Sequence, residues 1–232
     1  MTTPVTYQLK DAVATIAMDD GKVNAMSVTM LSALNAALDK AAADRAVVVL
    51  TGRAGVFSGG FDLNVLRAGG SDAQKMVRTG FELAHRMLSF PTPLVVACSG
   101  HAIAMGVFLA LASDYRLGAD GPFKIGANEV AIGITMPHFG VEMCRQRLTP
   151  AHVNRAVIFS EMYTPADAVP AGFLDRVVPA ADLQNEAQKF AAVLTKLNMT
   201  AHAASKLRLR EQTLKAVRAA IEADNDMVGS AK

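Results

Sequence analysis

The pattern of apolar and polar positions predicts strands and helices in alternation along much of the chain. Apolar and small or polar residues alternate over 13–18, which is typical of a strand. Ser27 is a candidate N-cap for a helix that runs to residue 43 with leucines on one face. The runs 46–51 and 94–98 are continuously apolar, as buried parallel strands usually are. The alternation predicts an α/β fold with a substantially parallel sheet.

The last third of the chain has a different, mainly helical pattern. A short apolar run over 174–178 predicts one strand there. Helical periodicity is found in the segments 150–171, 180–197 and 201–226. We therefore predict an α/β core over 1–171 and a helical C-terminal region over 172–232.

Residues 94–113 contain no Lys, Arg, Asp or Glu. Such a run approaches the ~20 apolar residues that span a bilayer. However, Ser99-Gly100 lies within it, prolines precede it, and no aromatic or basic belt flanks it. We therefore predict a buried strand, a turn and a buried helix over about 105–112 rather than a membrane span.

Composition and charge exclude several classes of protein. The chain is 51% hydrophobic with a formal net charge of +2, which excludes a disordered protein. Cys98 and Cys144 lack metal-type spacing, and Cys98 is predicted to be buried. The N-terminus lacks the pattern of a signal peptide, so we expect a cytoplasmic protein.

Basic residues are concentrated only near the C-terminus. They are Lys206, Arg208, Arg210, Lys215 and Arg218. We predict a solvated helix face there, with an anion site on a ligand or neighbouring subunit as the alternative. This is not the basic stripe of a nucleic-acid-binding protein.

Two turns rich in small residues follow the buried strands. Residues 57–63 read FSGGFDL, and residues 99–106 read SGHAIAMG. Small residues allow a ligand to approach the backbone, and a helix start leaves amide N–H groups free. Two such donors aimed at one point form an oxyanion hole. On spacing alone, ordinary tight turns are the favoured interpretation of both segments, because glycine pairs are common in turns.

Glu129 is a lone carboxylate in the apolar stretch IGANEVAIG, residues 125–133. Desolvation raises the pKa of a carboxyl group, which suits a general base that acts near neutrality. The alternative is a glutamate that faces solvent or caps a helix. The residues alone leave both interpretations open.

Four motifs together resemble the crotonase superfamily over nearly the whole chain. They are FSGGFDL, GHAIAMG, IGANEVAIG and the later AVPAGFLDRVVP over 168–179, in the family's order and spacing. The resemblance implies a crotonase-type ββα spiral core followed by a helical C-terminal trimerisation region. It also implies binding of acyl-CoA thioesters and stabilisation of an enolate by two backbone amides.

The resemblance assigns candidate site residues by position. The two oxyanion amides would belong to Phe61 and Met105, and Glu129 would be the catalytic base. Substrate or CoA contacts would come from Asn24, Ala25, Met26, Ser58, Gly59, Gly60, Asp62, Gly106 and Phe108.

Phe108 departs from the hydratase pattern within that family. Typical enoyl-CoA hydratases carry two glutamates, of which the first falls on Phe108 and the second on Glu129. A single carboxylate can move a proton from C2 to C4 of a 3-enoyl thioester, so the chain looks like the Δ3,Δ2-enoyl-CoA isomerase branch, with Phe108 keeping water away. We assign His101 and His138 to the core or the pocket wall.

The alternatives are hydration of a 2-enoyl thioester, another crotonase reaction, and a low-turnover protein that binds CoA esters or RNA. The resemblance implies an acyl-CoA thioester as partner, with coenzyme A as part of the substrate and no separate cofactor or metal. We expect a homotrimer or a hexamer (dimer of trimers), and no membrane or nucleic-acid partner. The segment 67–72 is short for the family, which would open or reshape the acyl pocket.

Overall fold

The computed structural model describes residues 3–230, with side chains up to Asn225, as two sheets surrounded by helices. In chain order the strands are β1 (Val5–Lys10), β2 (Val13–Met18), β3 (Val47–Thr51), β4 (Gly55–Ser58), β5 (Leu94–Cys98), β6 (Gly100–Ile103), β7 (Tyr115–Ala119), β8 (Ile125–Gly126) and β9 (Arg176–Val178). The helices are α1 (Val28–Ala43), α2 (Leu63–Ala68), α3 (Gly70–Leu88), α4 (Met105–Leu111), α5 (His138–Arg145), α6 (Pro150–Phe159), α7 (Pro165–Ala171), α8 (Leu183–Leu194), α9 (Met199–Leu209) and α10 (Glu211–Ser230).

The larger sheet has six strands in the order β1-β2-β3-β5-β7-β9. Only the β1–β2 pair is antiparallel, and each other neighbouring pair is parallel. Every residue of β3 and β5 is buried because both faces of the sheet are covered, one of them by α8. The predicted strands at 13–18, 46–51 and 94–98 are therefore confirmed to within one residue.

A smaller sheet, β4-β6-β8, runs beside the larger one. Each of its strands follows directly after a strand of the larger sheet, and a helix follows β4 and again β6. This repeat is the expected ββα arrangement. β6 occupies part of what the sequence predicts as a turn, because its four residues pair with β4 and β8 instead of being free.

The charge-free run folds as β5, β6 and α4. All seven residues of α4 are buried, so contact with the protein core accounts for their apolar character. Among the described residues, no helix combines the length and the apolar character needed to cross a bilayer.

The C-terminal part contains more breaks than the sequence predicts. The segment 150–171 forms two helices, because Ser160 adopts a left-handed conformation and Tyr163 pairs with Ile125 of β8. The segment 201–226 lies in α9 and α10, which are separated at Arg210. β9 joins the larger sheet, so the sheet extends past the predicted boundary at residue 171.

Two of the late basic residues are buried, contrary to the predicted solvated face. The Nζ atom of Lys206 lies 2.6 Å from the Asp114 carboxylate and donates to the carbonyls of Phe90 and Thr92 at 2.8 and 2.9 Å. Arg210 lies 3.0 Å from the same carboxylate. The anion that pairs with them is thus a carboxylate of the same chain. Lys206 also connects α9 to the segment that precedes β5.

Candidate active site

A cavity of about 210 Å³ lies where the two glycine-containing turns meet the segment that carries Glu129. The first turn follows β4 and the second follows β6, so adjacent strands of the smaller sheet bring them together. The residues relevant to chemistry in its wall are Gly59, Phe61, Ala104, Met105, Phe108, Asn128 and Glu129.

The two turns pack so closely that glycine is required at their contact. A Cβ atom on Gly60 would lie 3.0 Å from the Ala104 Cβ, and the φ angle of Gly60 is +93°. A Cβ atom on Gly106 would lie 2.5 Å from the Ser58 carbonyl oxygen. These two glycines let the backbone at Phe61 approach the backbone at the start of α4.

An oxyanion hole needs backbone N–H groups that are not already hydrogen-bonded, and those of Phe61 and Met105 meet this requirement. Met105 begins α4, so its N–H has no acceptor within the helix. Within residues 3–230, neither amide donates a hydrogen bond to another backbone group. Ala104 precedes Met105 with φ 52° and ψ −124°, which is strained for a residue that has a Cβ atom. Strain of this kind collects at functional sites.

Asn24 and Ser58 support the first turn from behind. The buried Ser58 hydroxyl donates to the Asn24 carbonyl at 2.8 Å and accepts from the Gly60 N–H at 3.2 Å. The Asn24 amide is fully buried and donates to the Phe57 carbonyl at 3.1 Å. Since Met26 is also buried and its N–H donates to the Gly60 carbonyl at 2.8 Å, these residues fix the shape of the turn.

The other predicted CoA-side residues have different positions. Gly59 lines the cavity. Asp62 is the N-cap of α2, where its carboxylate accepts from the Asn64 N–H at 2.9 Å. Ala25 is half-buried, and its N–H donates to Asp20 at 2.9 Å. Thus Gly59 alone of this group reaches the reacting end of the cavity.

Glu129 is a buried carboxyl group in an apolar setting. It follows β8, begins a short 3₁₀ turn over Val130–Ile132, and is only 7% exposed. Its Oε2 atom is buried without a hydrogen-bond partner. Burial raises its pKa from the ordinary 4.5 to about 7. The interpretation as a solvent-facing glutamate is therefore wrong, and the group can accept a proton near neutral pH.

Asn128 is a second polar group in this wall that the sequence reasoning did not assign. Its Oδ1 atom is buried without a partner, and the residue lines the same cavity as Glu129. A buried acceptor without a partner calls for an explanation, because it loses its hydrogen bonds to water. Its position next to Glu129 in the sequence is the only signal that could have identified it.

Aromatic side chains form another part of the cavity wall. Phe108 lines the cavity and meets the ring of Phe139 edge-on, with the ring centroids 5.7 Å apart. Phe139 stacks on Phe81 at 4.0 Å, and Phe81 lies 6.0 Å from Phe61. These rings come from separate elements, so no local pattern in the sequence predicts the cluster. The Phe108 side chain itself offers no group that could hold or activate water.

Residues 8–232 match the enoyl-CoA hydratase/isomerase family. The chain belongs to this family. It is 44% identical to the structure of an Mtb enoyl-CoA isomerase, with a TM-score of 0.93 and full coverage of both chains. It is also 44% identical to an enoyl-CoA hydratase from Mycobacterium ulcerans Agy99, with a TM-score of 0.94 and coverage of 98% and 100%.

A human relative is similar over a shorter stretch. The chain is 33% identical to human mitochondrial enoyl-CoA delta isomerase 1 over 184 residues, which make up 75% of this chain and 60% of the human protein. The match thus spans less than two thirds of that relative's length. Because similar proteins are named both isomerase and hydratase, their names establish the family and not the reaction.

The histidines of this family member lie outside the cavity. His101 accepts from the Lys124 N–H at 2.9 Å and packs against Phe123. His138 is exposed at the start of α5. Neither belongs to the cavity wall, so the predicted core or pocket-wall position is wrong for His138, and the pocket-wall alternative is wrong for His101. Glu129 therefore faces the cavity without an imidazole partner.

Proposed function

We propose that the chain is a Δ3,Δ2-enoyl-CoA isomerase. The observation that carries the proposal is the pairing of one buried carboxyl group, Glu129, with an aromatic wall at Phe108. A double-bond shift needs one base that takes a proton from C2 and returns it at C4. Hydration additionally needs a group that positions water, and a phenyl ring does not supply one.

In the proposed reaction, the thioester oxygen of the substrate lies between the N–H groups of Phe61 and Met105. Glu129 removes a proton from C2, the electrons of the C–H bond move into the conjugated system, and negative charge develops on the thioester oxygen. One such amide donor contributes roughly 3–4 kcal/mol to the transition state in other enzymes. The protonated Glu129 then returns the proton at C4, which leaves the double bond between C2 and C3.

The test is a Glu129→Gln variant assayed with a 3-enoyl-CoA by the absorbance of the conjugated product. We expect kcat to fall by roughly 10²–10⁴-fold, the usual contribution of a positioned acid or base. Glu222→Gln, which removes an exposed glutamate from α10, is the control and should keep the parent activity. Activity of the Glu129 variant near that of the parent would show that this carboxyl group is not the base.

Hydration is the second candidate, and the unpartnered Asn128 favours it. The Oδ1 atom of Asn128 and the Oε2 atom of Glu129 are two buried acceptors in one cavity, and together they could hold a water molecule. The assay supplies a 2-enoyl-CoA and measures 3-hydroxyacyl-CoA. Efficient hydration by the parent, lost in Asn128→Leu, would replace the isomerase proposal.

A low-turnover RNA-binding role has little support left. Its basis is the basic C-terminal helix region, but Lys206 and Arg210 are buried and engaged with Asp114. They cannot contact a phosphate backbone in that position. Binding to RNA that falls steeply with salt would contradict this conclusion.

We also propose that the chain forms a homotrimer or a dimer of trimers. The adjacent residues Ile158 and Phe159 are 56% and 72% exposed and Leu209 is 85% exposed, and we propose that neighbouring subunits cover these apolar side chains. Light scattering on a size-exclusion column measures the assembly. A monomer at micromolar concentration would contradict this proposal.

A further inference from the structure

The 3₁₀ turn over Val130–Ile132 begins without a cap from its own first side chain. Glu129 occupies the N-cap position, but its carboxyl group forms no capping hydrogen bond. An N-cap side chain ordinarily accepts a hydrogen bond from the N–H of the second or third residue of the helix. The second residue of this turn is Ala131, so its N–H must find an acceptor in another part of the molecule.

Ser160 supplies that acceptor from a distant part of the chain. The Ala131 N–H donates to the Ser160 Oγ atom at 3.1 Å, across a separation of 29 residues. Ser160 follows α6, is buried, and has φ 50° and ψ 37°, in the left-handed region. Glycine and asparagine adopt this conformation more easily than serine does. The Ser160 hydroxyl therefore has the partner that the side chain of Glu129 would have as an ordinary N-cap.

The segment after Ser160 is fixed against β8, the strand that leads to Glu129. The Tyr163 N–H donates to the Ile125 carbonyl at 2.9 Å, and the Ile125 N–H donates to the Tyr163 carbonyl at 3.0 Å. This backbone pair holds Ser160 beside the turn independently of the serine side chain. Loss of the hydroxyl therefore leaves the two segments together and removes only the cap.

The other edge of β8 is paired with the strand that leads to the second oxyanion amide. The Ala104 N–H donates to the Gly126 carbonyl at 3.1 Å, directly before Met105. Backbone pairing thus fixes the chain up to three residues before Glu129. Beyond Glu129, the hydrogen bond to Ser160 fixes the first turn of the chain.

The Glu129 side chain is free to turn in either direction. Among the described residues its Oε2 atom has no hydrogen-bond partner, so no contact of that atom holds the carboxyl group in the cavity. If the Ala131 N–H lost its acceptor, the side chain at the N-cap position would be the nearest replacement. A carboxyl group that capped its own turn would leave the position that faces the cavity.

We propose that Ser160 is a positioning residue for Glu129: its hydroxyl caps the turn in place of the glutamate side chain, which leaves the carboxyl group free to face the cavity. This inference rests on the proposed function, in which Glu129 is the base.

The other titratable groups near this turn have partners or keep their protons. On α5, burial raises the pKa of the Cys144 thiol to about 12, with a smaller contribution from Glu129, so the thiol is neutral at ordinary pH. The remaining groups on α5, on α6 and on the segment after α6 include two sets that bond among themselves: Glu142 with Arg145, and His152, Arg155, Glu161 and Tyr163. A change in the titration of Glu129 therefore reports on hydrogen bonds to its own carboxyl group.

The kinetic test is Ser160→Gly, which removes the hydroxyl and suits the left-handed conformation. With a 3-enoyl-CoA we expect kcat to fall at least about tenfold, because the base is misplaced, while KM changes less than about twofold. Ser160→Asn keeps an acceptor on a residue that tolerates this conformation, and should bring kcat to within about threefold of the parent. Ser89→Gly, at the end of α3 and outside the cavity wall, is the matched control and should keep the parent kcat.

A titration separates this inference from the proposed reaction. Carbon-13 NMR of labelled glutamate side chains, with Glu129→Gln to assign the resonance, measures the pKa of Glu129 without substrate. That pKa is about 7 in the parent. In Ser160→Gly it should fall by about one unit or more, since a hydrogen bond from an N–H stabilises the carboxylate, and Ser160→Asn should restore it.

Two results would overturn the inference. One is an unchanged pKa of Glu129, or an unchanged kcat in an active enzyme, when Ser160 is replaced by glycine. The other is an equal change in Ser160→Gly and Ser160→Asn. A lowered pKa in Ser160→Gly that Ser160→Asn restores, in a protein that isomerises no substrate, would support the positioning role and overturn only the proposed reaction.

Discussion

The raised pKa of Glu129 predicts that this residue makes the folded protein less stable as the pH rises toward neutrality. In the unfolded chain the carboxyl group loses its proton near the ordinary value of 4.5, but in the folded chain it keeps the proton up to about 7. Between these values the folded state holds one proton more than the unfolded state. Unfolding is then favoured by rising pH, and the effect is constant above about 7 and absent below about 4.5.

The magnitude follows from the gap between the two pKa values. From 4.5 to about 7, at about 1.4 kcal/mol per unit, the free energy of unfolding decreases by about 3 kcal/mol. Glu129 is 7% exposed, so solvent screens little of this effect. Such a change is a large fraction of the 5–15 kcal/mol that typically stabilises a domain.

The perturbation is Glu129→Gln, because glutamine keeps the shape of the side chain and does not titrate. Urea unfolding of parent and variant, from about pH 4 to about pH 8 at one fixed protein concentration, should show the variant gaining about 3 kcal/mol relative to the parent. Glu82→Gln is a control of opposite sign, since the hydrogen bond from Arg218 lowers the pKa of Glu82. Parallel curves for the parent and Glu129→Gln would refute the reasoning.

Three further predictions concern catalysis and the scaffold. With Glu129 as base, kcat/KM should rise with pH and level off above about 7, and a flat pH–rate profile would contradict this. Gly60→Ala should lower kcat by about 100-fold while the circular dichroism spectrum stays unchanged, because the new Cβ atom contacts Ala104 and moves the two amides apart. An unchanged kcat would contradict the assignment of these amides to an oxyanion hole. Lys206→Met should lower the free energy of unfolding by about 3 kcal/mol in chemical denaturation, since it removes one partner of a buried ion pair with Asp114, and a loss below about 1 kcal/mol would contradict that role.

The parts of the fold that were predictable have a strong local pattern. The strands at 46–51 and 94–98 are covered on both faces, so every residue in them except Thr51 is apolar, and such runs are visible in the sequence. The helix that starts after Ser27 has a capping side chain, whose hydroxyl accepts from the Met30 N–H. Strands covered on both faces and capped helices can therefore be predicted from short stretches of neighbouring residues.

The parts that escaped prediction depend on partners far away in the chain. β1 is largely exposed and β8 has only two residues, so neither has a burial pattern long enough to detect. Similarly, the burial of Lys206 and Arg210 results from Asp114, about ninety residues earlier, and basic residues on a helix are usually solvated. Sequence spacing does not indicate which acidic group will reach them.

In the candidate site, the informative residues are those whose backbone conformation or buried polar atoms are unfavourable in an ordinary fold. Gly60 and Ala104 have backbone conformations that disfavour most residues, while Glu129 and Asn128 hold buried acceptors without partners. Each of these features opposes folding, so the rest of the structure must hold them in place. Buried α4, which carries Met105 and Phe108 in the cavity wall, supports one of these segments. In the proposed reaction, a thioester oxygen that accepts from the Phe61 and Met105 amides would offset part of this cost, so the strained backbone at Gly60 and Ala104 lies where that reaction needs it.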